Sequence, residues 1–307
     1  MVKIDIISGF LGAGKTTLIK QLLTAYAGER VALIENEFGE IGIDGAFLKD
    51  SGINVTEINS GCICCSLVGN FADAIVKLIA EYSPSRIIIE PSGVGKLTDI
   101  IRAVQGVKAE VSINVVATVV DGGKCKMYIR NFGEFYIDQL QNAKVIVVSK
   151  TDKIPDTKVE QAVSLIRQYN STATILATPI SQLDSGHLLS ILEGGVDNLS
   201  EQLSLAGRTH THADEVFTSV GIETGNAYTH AQLEHILEQL STNEDIGIIL
   251  RAKGIVKALD EDKWYHFDYV AGDYEIRLGE AEPIGRACVI GSNMDKGLIH
   301  RLFEVIL

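Results

Sequence analysis

One stretch constrains this chain more than any other: Gly9-Phe10-Leu11-Gly12-Ala13-Gly14-Lys15-Thr16, which satisfies GxxxxGK[ST]. It follows a short Ile-rich run and opens a stretch with helical periodicity, the setting the pattern needs. Glycines let backbone N–H groups turn inward around phosphate oxygens, and the helix N-terminus adds its partial positive charge. The cradle is assigned to Gly9, Gly12, Ala13, Gly14, Lys15, Thr16 and Thr17. Lys15 would reach the β- and γ-phosphates, and the Thr16 hydroxyl would ligate Mg²⁺.

The rest of the chain fits around this loop. Apolar runs at 4–8, 31–34, 86–90, 115–120, 145–149 and 172–177 read as strands. Stretches 16–26, 68–82, 96–104, 132–142 and 159–168 repeat apolar residues at helical spacing. This alternation predicts an α/β fold, a P-loop NTPase with a mostly parallel sheet covered on both faces. A polar, turn-rich connector covers 194–212. Beyond it, runs at 216–222, 246–251, 255–259, 264–270, 274–278 and 287–290 read as strands, with helices at 231–240 and 296–303. They predict a smaller C-terminal α+β domain built on an antiparallel sheet. The 307 residues therefore divide into domains at 1–200 and 212–307.

Charge narrows the partners. With 27 basic and 40 acidic residues the net charge is −13, which opposes nucleic acid and acidic membrane surfaces. No apolar stretch nears the ~20 residues that span a bilayer, and the first residues do not read as a signal peptide. A soluble, cytoplasmic protein is expected. Five cysteines, three of them crowded into 62–65, read as reduced thiols rather than a disulfide framework.

Three further segments carry chemistry. Ile87-Ile88-Ile89-Glu90-Pro91-Ser92-Gly93 is a buried strand ending in a carboxylate. Glu90 is placed to hold Mg²⁺ through water, with Gly93 near the γ-phosphate. Ser149-Lys150-Thr151-Asp152 follows the fifth predicted strand. Its Asp152 carboxylate accepts from N1–H and the exocyclic amine of guanine, a donor pair that adenine lacks, and the Lys150 stem would lie across the base plane. This favours GTP over ATP.

Gly61-Cys62-Ile63-Cys64-Cys65 gathers three soft donors suited to Zn²⁺ and acceptable to Co²⁺, Ni²⁺ or Cu⁺. The fourth position is left for water, a partner's ligand or a carboxylate from Glu35 or Glu40, an arrangement suited to transfer. A buried turn using cysteine as a small hydrophobe, or a redox pair, remain alternatives. The thiols lie between Glu35-Asn36-Glu37-Phe38-Gly39-Glu40 and the Glu90 strand, regions that rearrange with γ-phosphate occupancy in P-loop GTPases. Glu37 and Glu40 are candidates for orienting the hydrolytic water. His210 and His212 are either metal contacts or solvated; His230 and His235 read as surface residues, and Cys125 and Cys288 as core.

In this order the motifs resemble the CobW-type family of P-loop GTPases, relatives of the HypB and UreG nickel-insertion proteins. The resemblance rests on residues 8–17, 35–40, 59–65, 90–93 and 149–152, and on Leu250-Arg251-Ala252-Lys253-Gly254 and Val289-Ile290-Gly291 in the second domain. It implies a cytoplasmic GTPase that uses GTP/GDP and Mg²⁺. It also implies that Cys62, Cys64, Cys65 and Glu35 bind a transition metal, zinc or cobalt before nickel, for delivery to a client enzyme or cofactor pathway. Lys15, Thr16, Glu37 and Glu90 form the catalytic candidates, and slow intrinsic turnover is expected. A nucleotide-sandwiched homodimer is compatible with the class. Two features depart from the family. Ser149 stands where guanine-binding loops often carry Asn, and only His210-Thr211-His212 remains of a histidine-rich stretch. The alternative functions are a non-catalytic metal buffer or regulatory adaptor with structural nucleotide, and a small-metabolite kinase, against which Ser149 to Asp152 argues.

Overall fold

The computed structural model describes residues 1–35, 55–59, 68–194 and 217–304. They fall into two compact units, up to residue 194 and from residue 217.

The first unit is built on seven strands: β1 (Val2–Gly9), β2 (Val31–Glu35), β3 (Val55–Asn59), β4 (Arg86–Glu90), β5 (Val111–Asp121), β6 (Val145–Ser149) and β7 (Thr174–Leu176). They lie in the order β3-β2-β4-β1-β5-β6-β7, and every pairing is parallel. The helices are α1 (Lys15–Ala25), α2 (Val68–Tyr82), α3 (Leu97–Gln105), α4 (Cys125–Asn142), α5 (Asp156–Tyr169) and α6 (Ser185–Glu193). Central strands are apolar on both faces, as burial between two helix layers requires. Ile4, Ile6, Ile7, Ile87, Ile88 and Val145 to Val148 are all inaccessible. Leu18, Ile19 and Leu22 of α1 and Leu188 and Leu192 of α6 close one face. Strand order reverses at β1, which opens a crevice at the carboxyl ends of the strands beside the loop that follows it.

The second unit holds β8 (Thr218–Thr224), β9 (Ala227–Tyr228), β10 (Ile248–Ala258), β11 (Trp264–Val270), β12 (Asp273–Gly279) and β13 (Gly285–Ser292). Their order is β12-β11-β10-β13-β8, antiparallel throughout, with β9 added parallel to β10. Helices α7 (His230–Thr242) and α8 (Lys296–Glu304) pack Leu233, Leu237, Ile299 and Phe303 into a core with Val256, Phe267 and Val289. Thr229 and Gln232 form a capping box that starts α7.

Besides the short β9, which was not expected, four elements differ from the sequence expectation. β3 was not expected: Thr56, Glu57 and Asn59 make it polar, which an edge strand tolerates, so the base loop follows the sixth strand rather than the fifth. α4 starts at Cys125 instead of 132, because non-helical Phe132 (φ −134°, ψ 33°) breaks its periodicity. α6 was also unforeseen. The runs 246–251 and 255–259 are one strand, β10, and Gly254 lies inside it rather than at a break. Any Cβ there would collide with the Phe267 ring, so the glycine serves close packing. Residues 195–212 of the expected connector lie outside the described residues. No helix among the described residues is long and apolar enough to cross a membrane.

Candidate nucleotide site at the carboxyl edge of the parallel sheet

β1 ends in Gly9, whose φ of 145° lets the chain leave the sheet sideways. A Cβ there would collide with the Val119 carbonyl, so only glycine fits. The loop turns through Gly12 (φ 65°) and Gly14 (φ 100°), and the Ala13 N–H donates to the Phe10 carbonyl at 3.2 Å. α1 begins directly on Gly14, without a side-chain cap and without an acid in its first turn. The N-cap glycine has no side chain to offer its first N–H donors and no carboxylate in that turn offsets its positive end, the arrangement that receives an anion. By contrast, Asp184 caps α6 through the Gly186 and His187 N–H groups.

Lys15 is buried, and its Nζ donates to the Gly9 carbonyl at 3.0 Å and the Phe10 carbonyl at 3.3 Å. The same Nζ stands 3.8 Å from Glu90 Oε1. Thr16 is half-buried and Thr17 exposed on the first turn of α1. Glu35 and Glu90 are register partners at the ends of β2 and β4, so their carboxylates belong to the same face of the sheet. Glu35 is buried. Gly93 abuts the phosphate loop so closely that a Cβ would sit 2.8 Å from the Leu11 backbone nitrogen. Thr16, next to Lys15 in the chain, and Glu90, 3.8 Å from its Nζ, offer hard oxygen donors, a set that fits Mg²⁺ rather than a soft metal.

On the other flank, β6 ends in Ser149, whose hydroxyl donates to the Ala13 carbonyl at 2.5 Å and lies 3.2 Å from that of Val120. The expected base loop is thus tied to the phosphate loop by the residue that departs from the usual Asn. Lys150 takes a left-handed conformation (φ 57°, ψ 24°), and its Nζ pairs with Asp121 Oδ2 at 2.8 Å. Asp121 ends β5 and accepts from the Gly123 N–H at 2.9 Å. Asp152 lies exposed in the short helical turn Thr151–Lys153, open to a base. Asp121 and Phe10 escaped the sequence reading. A carboxylate ending an apolar strand, as Glu90 does, was the signal for the first; nothing local marked the second.

Glu37, Glu40, Cys62, Cys64, Cys65, His210 and His212 lie outside the described residues. Among the described residues no three His, Cys, Asp or Glu side chains come together to hold a metal ion. Cys125 and Cys288 are buried and unbridged, as expected of core thiols. Burial pushes the Cys125 thiol up to about 11, so it stays protonated at neutral pH. His230 pairs with Glu234 at 3.5 Å on the surface, and His235 is exposed.

Comparison with known proteins gives concordant matches. The model of the CobW/HypB/UreG nucleotide-binding domain matches residues 3–177, and that of the cobalamin synthesis protein CobW C-terminal domain matches 217–307. The chain is similar to a zinc chaperone CobW from a Sinorhizobium species, 29% identical over 286 residues, 83% of this chain and 78% of that protein. It is 33% identical over 215 residues to the zinc chaperone YeiR of Escherichia coli K12, 69% of this chain and 64% of that protein. A crystal structure of the Zn(II)-bound YjiA GTPase from E. coli is 22% identical, covers 99% of this chain and 98% of that one, and has a TM-score of 0.46.

Proposed function

The chain belongs to the CobW/HypB/UreG family, and from that premise we propose that it is a GTP-hydrolysing metallochaperone. It would bind zinc, ahead of cobalt or nickel, at Cys62, Cys64 and Cys65 with Glu35 as an oxygen ligand, and hand it to a client metalloprotein. The names of the curated relatives support zinc. A reducing cytoplasm is part of the reading, because thiolate ligands must stay reduced.

The observation that carries the nucleotide half is the uncapped start of α1 on a glycine cradle, with Lys15 held over it by two carbonyls. Phosphate oxygens would exchange with those carbonyls as acceptors for Nζ, so binding replaces one set of hydrogen bonds by a charge-assisted set. The loop amides and Lys15 then stabilise charge on the transferring γ-phosphoryl group. Thr16 and Glu90 would hold Mg²⁺, which supplies further neutralisation of the phosphates when bound. Asp152 would accept from guanine, with the Lys150 stem fixed beside the base by Asp121. Glu37 is retained as the candidate for orienting water, with Glu40 as its rival.

Position suggests the coupling. Glu35 ends β2 as the register neighbour of Glu90, which supports a coupling between the proposed metal ligand and the proposed nucleotide-site carboxylate. If GTP and zinc favour one arrangement of this edge, each tightens the other by the same factor. Anaerobic zinc titration with GTP turnover measured in parallel tests this, using the native protein and a Cys62→Ser, Cys64→Ser, Cys65→Ser triple variant. Tighter zinc binding with a GTP analogue than with GDP, lost in the triple variant, is the expected result. Identical affinities in both nucleotide forms refute coupling. Absence of turnover with every metal and client would instead favour the metal buffer with structural nucleotide.

A further inference from the structure

Gln139, on α4, is wholly buried, yet its Nε2 donates to the Gly93 carbonyl at 3.1 Å and the Gly95 carbonyl at 2.8 Å. Two carbonyls fix the amide's orientation, since the flipped form would set oxygen against oxygen. Its own Oε1 is left buried without a hydrogen-bond partner. Packing alone does not select such a residue: leucine or methionine would fill the space without a stranded acceptor.

The two carbonyls belong to the loop at 91–96, which follows Glu90. Pro91, Ser92, Gly93 and Val94 are buried, and the Gly95 N–H donates to the Ser92 carbonyl at 3.0 Å. Leu11 of the phosphate loop lies tight against Gly93, and Gln139 holds the Gly93 carbonyl. The same helix secures the residues just beyond. Lys96 pairs with Glu134 at 2.6 Å, and Asp138 accepts from the Thr98 N–H at 3.1 Å, capping α3 from outside. α4 also supports the phosphate loop directly, because Phe10 packs on Tyr128, Phe132 and Tyr136 with centroids 4.6, 5.4 and 5.6 Å away.

We propose that Gln139 is a positioning residue for GTP hydrolysis, holding the Gly93 and Gly95 backbone against the phosphate loop where the γ-phosphate is sensed. The inference rests on the GTP reading above. Gln139 touches no nucleotide; it acts through the loop, so its loss falls on GTP and spares GDP.

The test is Gln139→Met, close in volume and without either donor, with Thr118→Val as control. Thr118 Oγ1 donates to the Gln139 main-chain carbonyl at 2.9 Å, so this change loosens α4 but leaves the amide in place. Gln139→Met is expected to lower kcat about tenfold or more and to weaken a non-hydrolysable GTP analogue, with GDP affinity within about twofold of wild type. Thr118→Val should lower the melting temperature and keep the analogue-to-GDP affinity ratio. An unchanged ratio and kcat in Gln139→Met overturns the assignment, as does parallel loss of both affinities in both variants. Amide exchange on the wild type covers failure of the variant to fold: residues 91–96 should exchange more slowly with the analogue than with GDP, and equal exchange overturns the proposal. A wild type that binds neither guanine nucleotide sinks the GTP reading and this proposal together. Wild-type turnover with an indifferent Gln139→Met sinks this one alone.

Discussion

On the amino side of the parallel sheet, Arg86 is 2% exposed and meets side chains from every direction. It bonds Asp5 at 2.8 Å and Glu29 at 3.0 Å, stands 3.4 Å from Glu193, and lies 3.9 Å over the Tyr26 ring. Asp5 also accepts from Tyr26 at 2.7 Å and Asn114 at 2.8 Å. On the carboxyl side, buried Lys15 rests on two backbone carbonyls and stands 3.8 Å from Glu90, beside a helix start with no side-chain cap. The first set is closed by side chains, with Asp5 wholly buried and Glu29 and Glu193 partly exposed. The second is held by groups that a ligand oxygen can displace. Burial of charge is common to both; Arg86 bonds to side chains, whereas Lys15 Nζ donates to main-chain carbonyls. Burial works against charge on Arg86, and the bonds to Glu29 and Asp5 outweigh it, raising its pKa.

The contrast can be broken by substitution. Arg86→Met takes the cation from the buried Asp5 carboxylate and should lower stability by about 3–5 kcal/mol in urea unfolding, without changing the guanine affinity of the folded fraction. Lys15→Ala should cut GTP turnover by about 10²–10³, an effect of ~3–4 kcal/mol on the transition state, while the melting temperature stays near wild type. Should Lys15→Ala unfold the protein as Arg86→Met does, the distinction between the two edges fails. Asp152→Asn is expected to weaken guanine nucleotides by about 1.5–3 kcal/mol in calorimetry and leave stability alone, since the carboxylate is exposed. Ser149→Ala sharpens the comparison by touching both roles, costing about 1 kcal/mol in stability and a similar amount in nucleotide affinity.

The smallest effect is one of pH. Burial opposes charge on Glu193, but the Asn114 hydrogen bond and the Lys3 and Arg86 charges outweigh it and hold the carboxyl below its ordinary 4.5. A carboxyl lowered in the fold stabilises it above that range and loses the contribution as pH falls below it. Glu193→Gln should therefore flatten the acid limb of the stability profile by less than about 1 kcal/mol, the site being partly exposed.

Much of this molecule was legible in order. The glycine loop, the Ile-Ile-Ile-Glu strand and the Ser149-to-Asp152 loop each signal through neighbours a few residues apart, and the structure brings them to one edge of the sheet. Cys62, Cys64 and Cys65 lie outside the described residues, so their assignment stands on sequence and family. The kink at Phe132 hid the first turns of α4 because a break in dihedrals erases the periodicity on which helix reading depends.

Local spacing determined the phosphate cradle, the alternation of strand and helix and the change of architecture after residue 194, because glycine tolerance and side-chain period are properties of short stretches. Only the tertiary structure paired Arg86 with Asp5 across 81 residues, Gln139 with Gly93 across 46, and Ser149 with Ala13 across 136. Those bonds join groups whose separation along the chain carries no period. Which buried polar group finds a partner is decided when the sheet order brings distant strand ends side by side.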